Sequence, residues 1–429
     1  MTEDLFLPET DTLDLRDRLA SGAVSAADLM AACLAKIEAR EDAVRAWEWL
    51  DPEAAMAAAA ACDAARAAGT LLGPLHGLPV GVKDVIDTAG IPTENGCPVD
   101  AGRVPELDAA VVTRLTAAGA IMMGKTVTTE LAFLHPNKTR NPHNPAHTPG
   151  GSSSGSAAAV AAGMIPLAIG TQTGGSVIRP ASFCGITGFK PSFGAIPRDG
   201  VLMQSHSLDT LGTFANDLGG AALLAGALMD TELSVAPGAA PRLLFVRPPG
   251  WDQADPALHA AFDDLVARLG ARVDVAELPP VFDDVARQRA VINTAEMGHY
   301  YAHYLERGAE KLGAPTRATI EAGRSLPAPE YIAAKRCQAE LSDALAPLFQ
   351  RCDAILCPSA LGPAPEGLGS TGDSIFNGLW TMAGTPAITL PLFTVPNGLP
   401  MGAQLVGPLG SDAALVSVAA GLGAEASGA

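Results

Sequence analysis

Two glycine-rich segments of this sequence each place a serine where its hydroxyl could act as a nucleophile. Residues 150–156 read GGSSSGS and residues 170–176 read GTQTGGS, which puts Ser152 and Ser176 24 positions apart. A serine hydroxyl attacks a carbonyl carbon when a neighbouring base takes its proton, and the reaction also needs donors aimed at the developing oxyanion. An isolated G-G-S is more typical of an ordinary turn. The pair of segments, separated by an apolar helix-to-strand stretch at 157–169, favours nucleophilic catalysis.

The second segment also supplies hydrogen-bond donors. Glycine has no Cβ, so several backbone N–H groups can converge on one point beside the Ser176 hydroxyl. We therefore predict an oxyanion hole made of the amides of Thr173, Gly174, Gly175 and Ser176. One such donor typically contributes a factor of about 10²–10³ to the rate.

Lys83 lies in a short apolar run at residues 80–87 that predicts a buried strand. To act as a base near pH 7, a lysine needs a pKa roughly three units below its ordinary ~10.4, and burial lowers a lysine pKa in that direction. The alternative is an ion pair between Lys83 and Asp84 or Asp87.

The segments around these residues alternate between helix and strand. The patterns predict N-terminal helices at 26–39 and 53–68, a helix at 108–118 followed by a strand at 120–125, and a strand, a helix and a strand at 242–246, 255–269 and 272–278. This alternation is typical of a layered α/β sheet. We expect the glycine-rich middle of the chain to lie at the centre of one sheet.

Composition restricts the partners and the location. Lys and Arg total 28 against 46 Asp and Glu, a net charge of −18, which is the wrong sign for binding nucleic acid. The longest apolar run, at 157–170, is too short to span a membrane, and the acidic residues 1–15 show no secretory signal. Seven cysteines without a C-x-x-C pair are typical of reduced thiols. We therefore expect a cytoplasmic protein without disulfides.

Two other motifs suggest chemistry less strongly. His299 and His303 are four residues apart on a predicted helix, but no H-E-x-x-H motif is present and neighbouring tyrosines favour a packed surface over a metal site. Cys184 has apolar neighbours, which predict a small buried side chain.

Taken in order, these motifs closely resemble the amidase signature family. The resemblance runs from about residue 77 to about residue 404 and includes residues 124–126, 141–142, 149–156, 170–181, 184–191, 384–391 and 398–404. It implies a single large layered α/β domain over residues 1–429, with a central mixed β-sheet flanked by helices on both faces. Within it we expect N-terminal helices at 1–70, a catalytic core at 71–230, and the remaining sheet and substrate pocket at 231–429.

The resemblance also implies a mechanism without metal or organic cofactor. Lys83 would be the base, Ser152 a proton relay in a cis peptide and Ser176 the nucleophile. Ser153 and Ser154 would either support the relay by hydrogen bonds or cap the helix that follows them. The partner would be a small-molecule amide, with no nucleic acid or membrane, and the family suggests a homodimer.

Arg179 departs from the family pattern, in which the arginine commonly stands one position earlier and an Asp is frequent where this chain has Gln172. This arrangement is similar to the malonamidase branch, where the shifted arginine recognises a substrate carboxylate. A planar guanidinium suits that task because it pairs bidentately with carboxylate oxygens. Residues 370–373, 377, 379–381 and 384 are similar to that branch as well. The similarity implies substrate binding by Arg179, Thr171, Gln172 and Trp380. The alternative for Arg179 is a structural ion pair or a clamp on backbone carbonyls.

These observations predict a serine amidohydrolase that converts a carboxamide into an acid and ammonia through an acyl-enzyme. The expected substrate is a monoamide of a short dicarboxylic acid, such as malonamate. One alternative is an aryl-amide, carbamate or urea-type hydrolase on the same site, with an apolar pocket built from Phe133, Phe193, Met203, Tyr300 and Trp380. Another is a non-catalytic amidase-like subunit.

Overall fold

The computed structural model describes residues 11–236 and 240–426. The strands in this part of the chain are β1 Trp47–Leu50, β2 Pro79–Lys83, β3 Ile121–Thr126, β4 Leu167–Gln172, β5 Thr187–Lys190, β6 Thr210–Ala215, β7 Leu243–Val246, β8 Val273–Ala276, β9 Ala354–Pro358, β10 Ala387–Thr394 and β11 Pro400–Val406. Residues 1–10, which belong to the acidic N-terminal stretch noted above, lie outside the described residues.

Helices occupy much of the remaining described chain. They are α1 Thr12–Ser21, α2 Ala26–Val44, α3 Pro52–Ala67, α4 Ala110–Ala117, α5 Ser154–Ala161, α6 Ile178–Cys184, α7 Leu218–Met229, α8 Pro256–Leu269, α9 Val285–Tyr300, α10 Ala302–Gly308, α11 Ala314–Ser325, α12 Ala328–Phe349, α13 Ile375–Met382 and α14 Asp412–Ala426.

All eleven described strands belong to one mixed sheet with the order β1-β3-β2-β4-β6-β5-β10-β11-β9-β7-β8. β2 pairs in parallel with β3 and β4, and β7 pairs in parallel with β8 and β9, whereas the six pairings of β1 with β3 and along β4-β6-β5-β10-β11-β9 are antiparallel. The predicted fold class, a single large α/β domain with a mixed sheet, is confirmed. This one sheet contains strands from the predicted catalytic core at 71–230 and from the remaining part of the chain at 231–429.

Several strands of the sheet are buried along their whole length, among them those that lead into the site. Every residue of β2, β4 and β6 is buried, as expected for strands covered on both faces. The parallel β2 and β4 therefore carry their carboxyl ends, at Lys83 and Gln172, to the same edge of the sheet interior.

The two predicted N-terminal helices are confirmed as α2 and α3. The side chains of Ser25 and Asp51 accept hydrogen bonds from the amides of Asp28 and Ala54 and so cap the helices at the expected positions. Helix α1, which Asp11 caps in the same way, is an additional N-terminal helix that was not predicted.

Membrane-spanning helices are missing from residues 11–236 and 240–426, where no helix combines sufficient length with sufficient apolar character. All seven cysteines are free thiols, and Cys184 is fully buried as predicted.

Candidate active site

Strand β2 delivers Lys83 into the protein interior. The side chain is completely buried, and its Nζ donates to Ser152 Oγ at 2.8 Å and to Thr171 Oγ1 at 2.7 Å. The structure records no ion pair between Lys83 and Asp84; the Asp84 carboxylate instead accepts from the amides of Glu94 and Gly96. The alternative interpretation of Lys83 as an ion-pair partner is therefore not supported.

The environment of Lys83 favours its neutral form. Burial lowers the pKa of Lys83 to about 7, against a smaller opposing effect of the negative charge on Asp209. Burial also raises the pKa of Asp209 to about 6, although its hydrogen bonds favour the carboxylate. Near neutral pH a substantial fraction of Lys83 is therefore able to accept a proton.

The first glycine-rich segment forms the turn before α5. Gly150 has φ +81°, and the Gly151–Ser152 peptide bond is cis. The Ser153 hydroxyl lies against β4, where it donates to the carbonyl of Thr171 at 3.2 Å and accepts from the amide of the same residue at 3.2 Å. Ser153 stands at the helix N-cap position without a capping hydrogen bond, so it fixes the turn to the sheet instead.

The second glycine-rich segment forms the turn between β4 and α6. Thr173 Oγ1 donates to Asp209 Oδ1 at 2.6 Å, which ties the start of the turn to the segment before β6. The backbone N–H groups of Gly174, Gly175 and Ser176 donate no hydrogen bond to any residue within 11–236 and 240–426. They are therefore free to donate to a bound oxyanion, and the oxyanion hole stays a prediction.

Close packing explains why one of these positions is glycine. A Cβ on Gly175 would lie 2.4 Å from Asn377 Oδ1 on α13, a distance that real Cβ contacts do not reach. Asn377 is itself fixed, because its Nδ2 donates to the carbonyl of Ser359 at 2.9 Å. A side chain at position 175 would therefore displace the turn.

Gln172 holds this turn from inside the protein. Its Oε1 accepts from the amides of Val177 and Ile178 at 2.8 and 3.0 Å, and its Nε2 donates to Thr381 Oγ1 at 2.9 Å. The Gln172 carboxamide thus accepts hydrogen bonds from the backbone amides at the start of α6. The prediction that Gln172 binds substrate is not supported, because its buried side chain is already used by protein groups.

A cavity of about 470 Å³ opens beside the two serines. Ser152 and Ser176 line it together with Arg179, and so do residues 132–134, 173–175 and 370–374. Ser176 is only 8% exposed, so it is nearly enclosed where it meets the cavity. Lys83 lies behind Ser152, away from the lining.

The remaining predicted substrate-binding residues have different positions. Thr171 contacts Lys83 rather than the cavity. Trp380 is fully buried in α13, where its ring packs 6.0 Å from that of Phe282, so it belongs to the core and not to the cavity wall. Of the five residues proposed for an apolar pocket, Phe133 lines this cavity and Phe193, Met203, Tyr300 and Trp380 do not. Whether each of these residues lines the cavity depends on the direction in which its side chain points.

Arg179 reaches the cavity from α6. The residue is 4% exposed, and its Nη2 donates to the carbonyl of Gly151 at 2.7 Å and to Thr371 Oγ1 at 3.1 Å. Nε is buried without a hydrogen-bond partner. Burial lowers the pKa of Arg179 to about 10, so it stays charged at neutral pH. Arg179 thus clamps a backbone carbonyl and also presents charge to the cavity.

A second arginine, which no sequence motif indicates, lies at this site. Arg289 lies on α9 and lines the same cavity. No motif surrounds it, since α9 follows a long segment that carries none of the glycine-rich signals. The packing of α9 against α13 brings it to the cavity that the serines line.

A larger cavity of about 800 Å³ lies elsewhere, between α1, α4 and α7. Leu13, Arg114 and residues 219–235 contribute to its walls, and none of the predicted catalytic residues does. Among the described residues, no cluster of three or more His, Cys, Asp or Glu side chains could hold a metal ion.

The fold and the order of these motifs define an amidase: the family model described as Amidase matches residues 28–416, and the chain belongs to that family. It is 32% identical to AtzE, a component of the 1-carboxybiuret hydrolase of Pseudomonas sp. (strain ADP), covering 92% of this chain and 94% of that protein. A solved crystal structure of an amidase superimposes with a TM-score of 0.89 at 29% identity, covering 97% and 100% of the two chains.

Another relative is similar over a shorter segment. The chain is 47% identical over 203 residues to one component of the glutamyl-tRNA(Gln) amidotransferase of Chloroflexus aurantiacus. That alignment covers 46% of this chain and 42% of the relative, so the matched segment spans less than half the length of either protein.

Proposed function

We propose that this chain is a serine amidohydrolase in which Ser176 is the nucleophile, Ser152 the proton relay and Lys83 the base. The observation that carries the proposal is the buried 2.8 Å hydrogen bond between Lys83 Nζ and Ser152 Oγ, beside a cavity that both serines line. The lowered pKa of Lys83 supports its role as a base, because a neutral amine can accept the proton.

The proposed reaction has two stages. Ser176 Oγ attacks the amide carbonyl carbon, its proton passes to Ser152, and the Ser152 proton passes to Lys83. The amides of 173–176 stabilise the oxyanion until the C–N bond breaks, and the same relay returns a proton to the departing nitrogen, which leaves as ammonia. Water then attacks the acyl-enzyme and releases the acid.

For the substrate, we propose the monoamide of a short dicarboxylic acid, such as malonamate. Support comes from Arg179, a charged and almost fully buried side chain on the cavity wall. The malonamidase-like position of this arginine supports the same substrate. The AtzE relative is named for a hydrolase of a carboxylated compound, 1-carboxybiuret, which agrees with an anionic substrate.

An aryl-amide or carbamate substrate is the second candidate. It is favoured by the apolar wall of Ala132, Phe133 and Leu134, since Leu134 is 56% exposed beside the cavity. A bulky neutral group could pack there.

A serine-directed phosphonate probe tests the chemistry, and a pair of substrates tests the specificity. The probe should label Ser176, and Ser176→Ala should abolish both labelling and ammonia release. Absence of labelling together with absence of turnover of any amide would instead favour a non-catalytic role. A kcat/KM for malonamate more than tenfold above that for its neutral methyl ester, or about 1.4 kcal/mol, would support the carboxylate clamp. A ratio near or below one would favour the neutral substrates.

The assembly and location also belong to this proposal. We propose a cytoplasmic homodimer, and the free state of all seven cysteines supports a reducing compartment. Light scattering after size-exclusion chromatography tests the dimer, with a single-chain mass as the contradicting result.

A further inference from the structure

The cavity contains a second guanidinium that the proposed chemistry does not use. Arg289 extends from α9 across Gly378 of α13, and a Cβ on that glycine would lie 2.4 Å from Arg289 Nε. Its Nη1 reaches the turn that carries the nucleophile, 3.1 Å from the position of a Cβ on Gly174. Arg289 therefore approaches the cavity from the side of Gly174, whereas Arg179 approaches from the side of Gly151.

Neither arginine has its charge paired. The Arg289 side chain forms no hydrogen bond or ion pair with any residue in the described ranges, and its Nε is buried without a partner. Arg179 uses only Nη2, on a neutral carbonyl and a neutral hydroxyl, and leaves its own Nε unpartnered. Arg179 is buried and Arg289 is half-buried, and a buried cation without a counter-charge is costly, so a bound anion would supply the charge that both side chains lack.

The surrounding charges leave the cavity positive. The acidic group that acts on both arginines is Asp373, which is exposed and too distant to form an ion pair with either. Burial lowers the pKa of Arg289, but the guanidinium remains the charged form at neutral pH. Although the net charge of the chain is −18, two guanidinium groups and one carboxylate lie at this cavity, which leaves it positive.

We propose that Arg289 is a second carboxylate-binding residue, which together with Arg179 makes the cavity select amides that carry a free carboxylate. This inference rests on the proposed amidase site and deepens it. Two guanidiniums on different sides of the cavity hold an anionic substrate in place with its carbonyl carbon near Ser176. Neutral amides gain nothing from Arg289.

Binding of malonate by isothermal titration calorimetry tests the inference without any turnover. Arg289→Gln should raise the Kd of malonate at least tenfold, and Arg289→Lys should fall between, because an ammonium cannot bind bidentately. The matched control is Arg287→Gln, which removes a charge from the same helix where the side chain is exposed and paired with Asp284. The control should stay within twofold of wild type.

Steady-state kinetics then distinguish a loss of selectivity for the carboxylate from a general loss of activity. Arg289→Gln should lower kcat/KM for malonamate at least tenfold and change that for its methyl ester less than threefold. Equal losses for both substrates, an unchanged malonate Kd, or no malonate binding by the wild type would each overturn the inference. If malonate binds as expected while no amide is hydrolysed and Ser176 is not labelled, the anion site stands and the amidase proposal fails.

Discussion

Replacing Lys83 by methionine should make the protein more stable and inactive at the same time. The unfolded chain holds this lysine with its ordinary pKa of 10.5, and burial lowers the folded-state pKa to about 7. At pH 7 this difference corresponds to roughly 4 kcal/mol of folding free energy lost to the desolvated ammonium. Methionine has a similar length and no charge to desolvate.

The gain in the free energy of unfolding is reduced because methionine cannot make the hydrogen bonds of Lys83. Lys83 donates to Ser152 and Thr171, and each such hydrogen bond contributes about 0.5–1.5 kcal/mol. The expected net increase in the free energy of unfolding at pH 7 is therefore about 1–3 kcal/mol. Urea unfolding followed by circular dichroism measures it, and Lys311→Met at an exposed position is the matched control.

The pH dependence of the free energy of unfolding shows whether the variant is stabilised by removal of the buried charge or by better packing. Because the folded pKa of Lys83 lies below the unfolded one, the unfolded chain binds more protons between pH 7 and 10.5, and wild-type stability rises with pH in that window. The advantage of Lys83→Met should shrink by about 3 kcal/mol between pH 7 and 9.5. A variant less stable than wild type at pH 7, or a difference independent of pH, would refute the reasoning.

Three further outcomes can be measured. Labelling of Ser176 by a phosphonate probe should rise with pH through about 7, as Lys83 becomes neutral, and a flat profile between pH 5.5 and 9 would contradict its role as base. Asp209→Asn should move this inflection to lower pH, because the negative charge of Asp209 raises the pKa of Lys83; a shift to higher pH would show the opposite coupling. Gly175→Ala should cost about 1–3 kcal/mol in urea unfolding and reduce probe labelling, because the new Cβ meets Asn377 at 2.4 Å, and wild-type behaviour would show that the turn can move.

The sequence was informative where chemistry depends on local motifs. The buried strand that carries Lys83 could be predicted from its apolar run, and the two serine turns from their glycines. Helix α2 could be predicted from its cap at Ser25 and its periodicity. In each case the deciding interactions lie within a few residues of one another along the chain.

The order of the strands and the direction of side chains could not be predicted in this way. β5 pairs with β10 across some two hundred residues, as in the partners Phe189 and Ile388, and no local pattern encodes such a pairing. Trp380 belongs to a matching motif but faces the core, and Arg289 belongs to no motif but faces the cavity. Both facts depend on how α13 and α9 pack.

The position of β10 and β11 in the sheet has a consequence for biosynthesis. These strands come late in the chain but stand between β5 and β9, and so they join the strands of the first half to β7, β8 and β9. A nascent chain emerging from the ribosome cannot unite the two groups of strands until residue 406 is available, and the exposed edges of β5 and β9 are open to aggregation until then. We expect a strong need for chaperones during synthesis, and nonsense mutations before Ala387 to yield insoluble fragments.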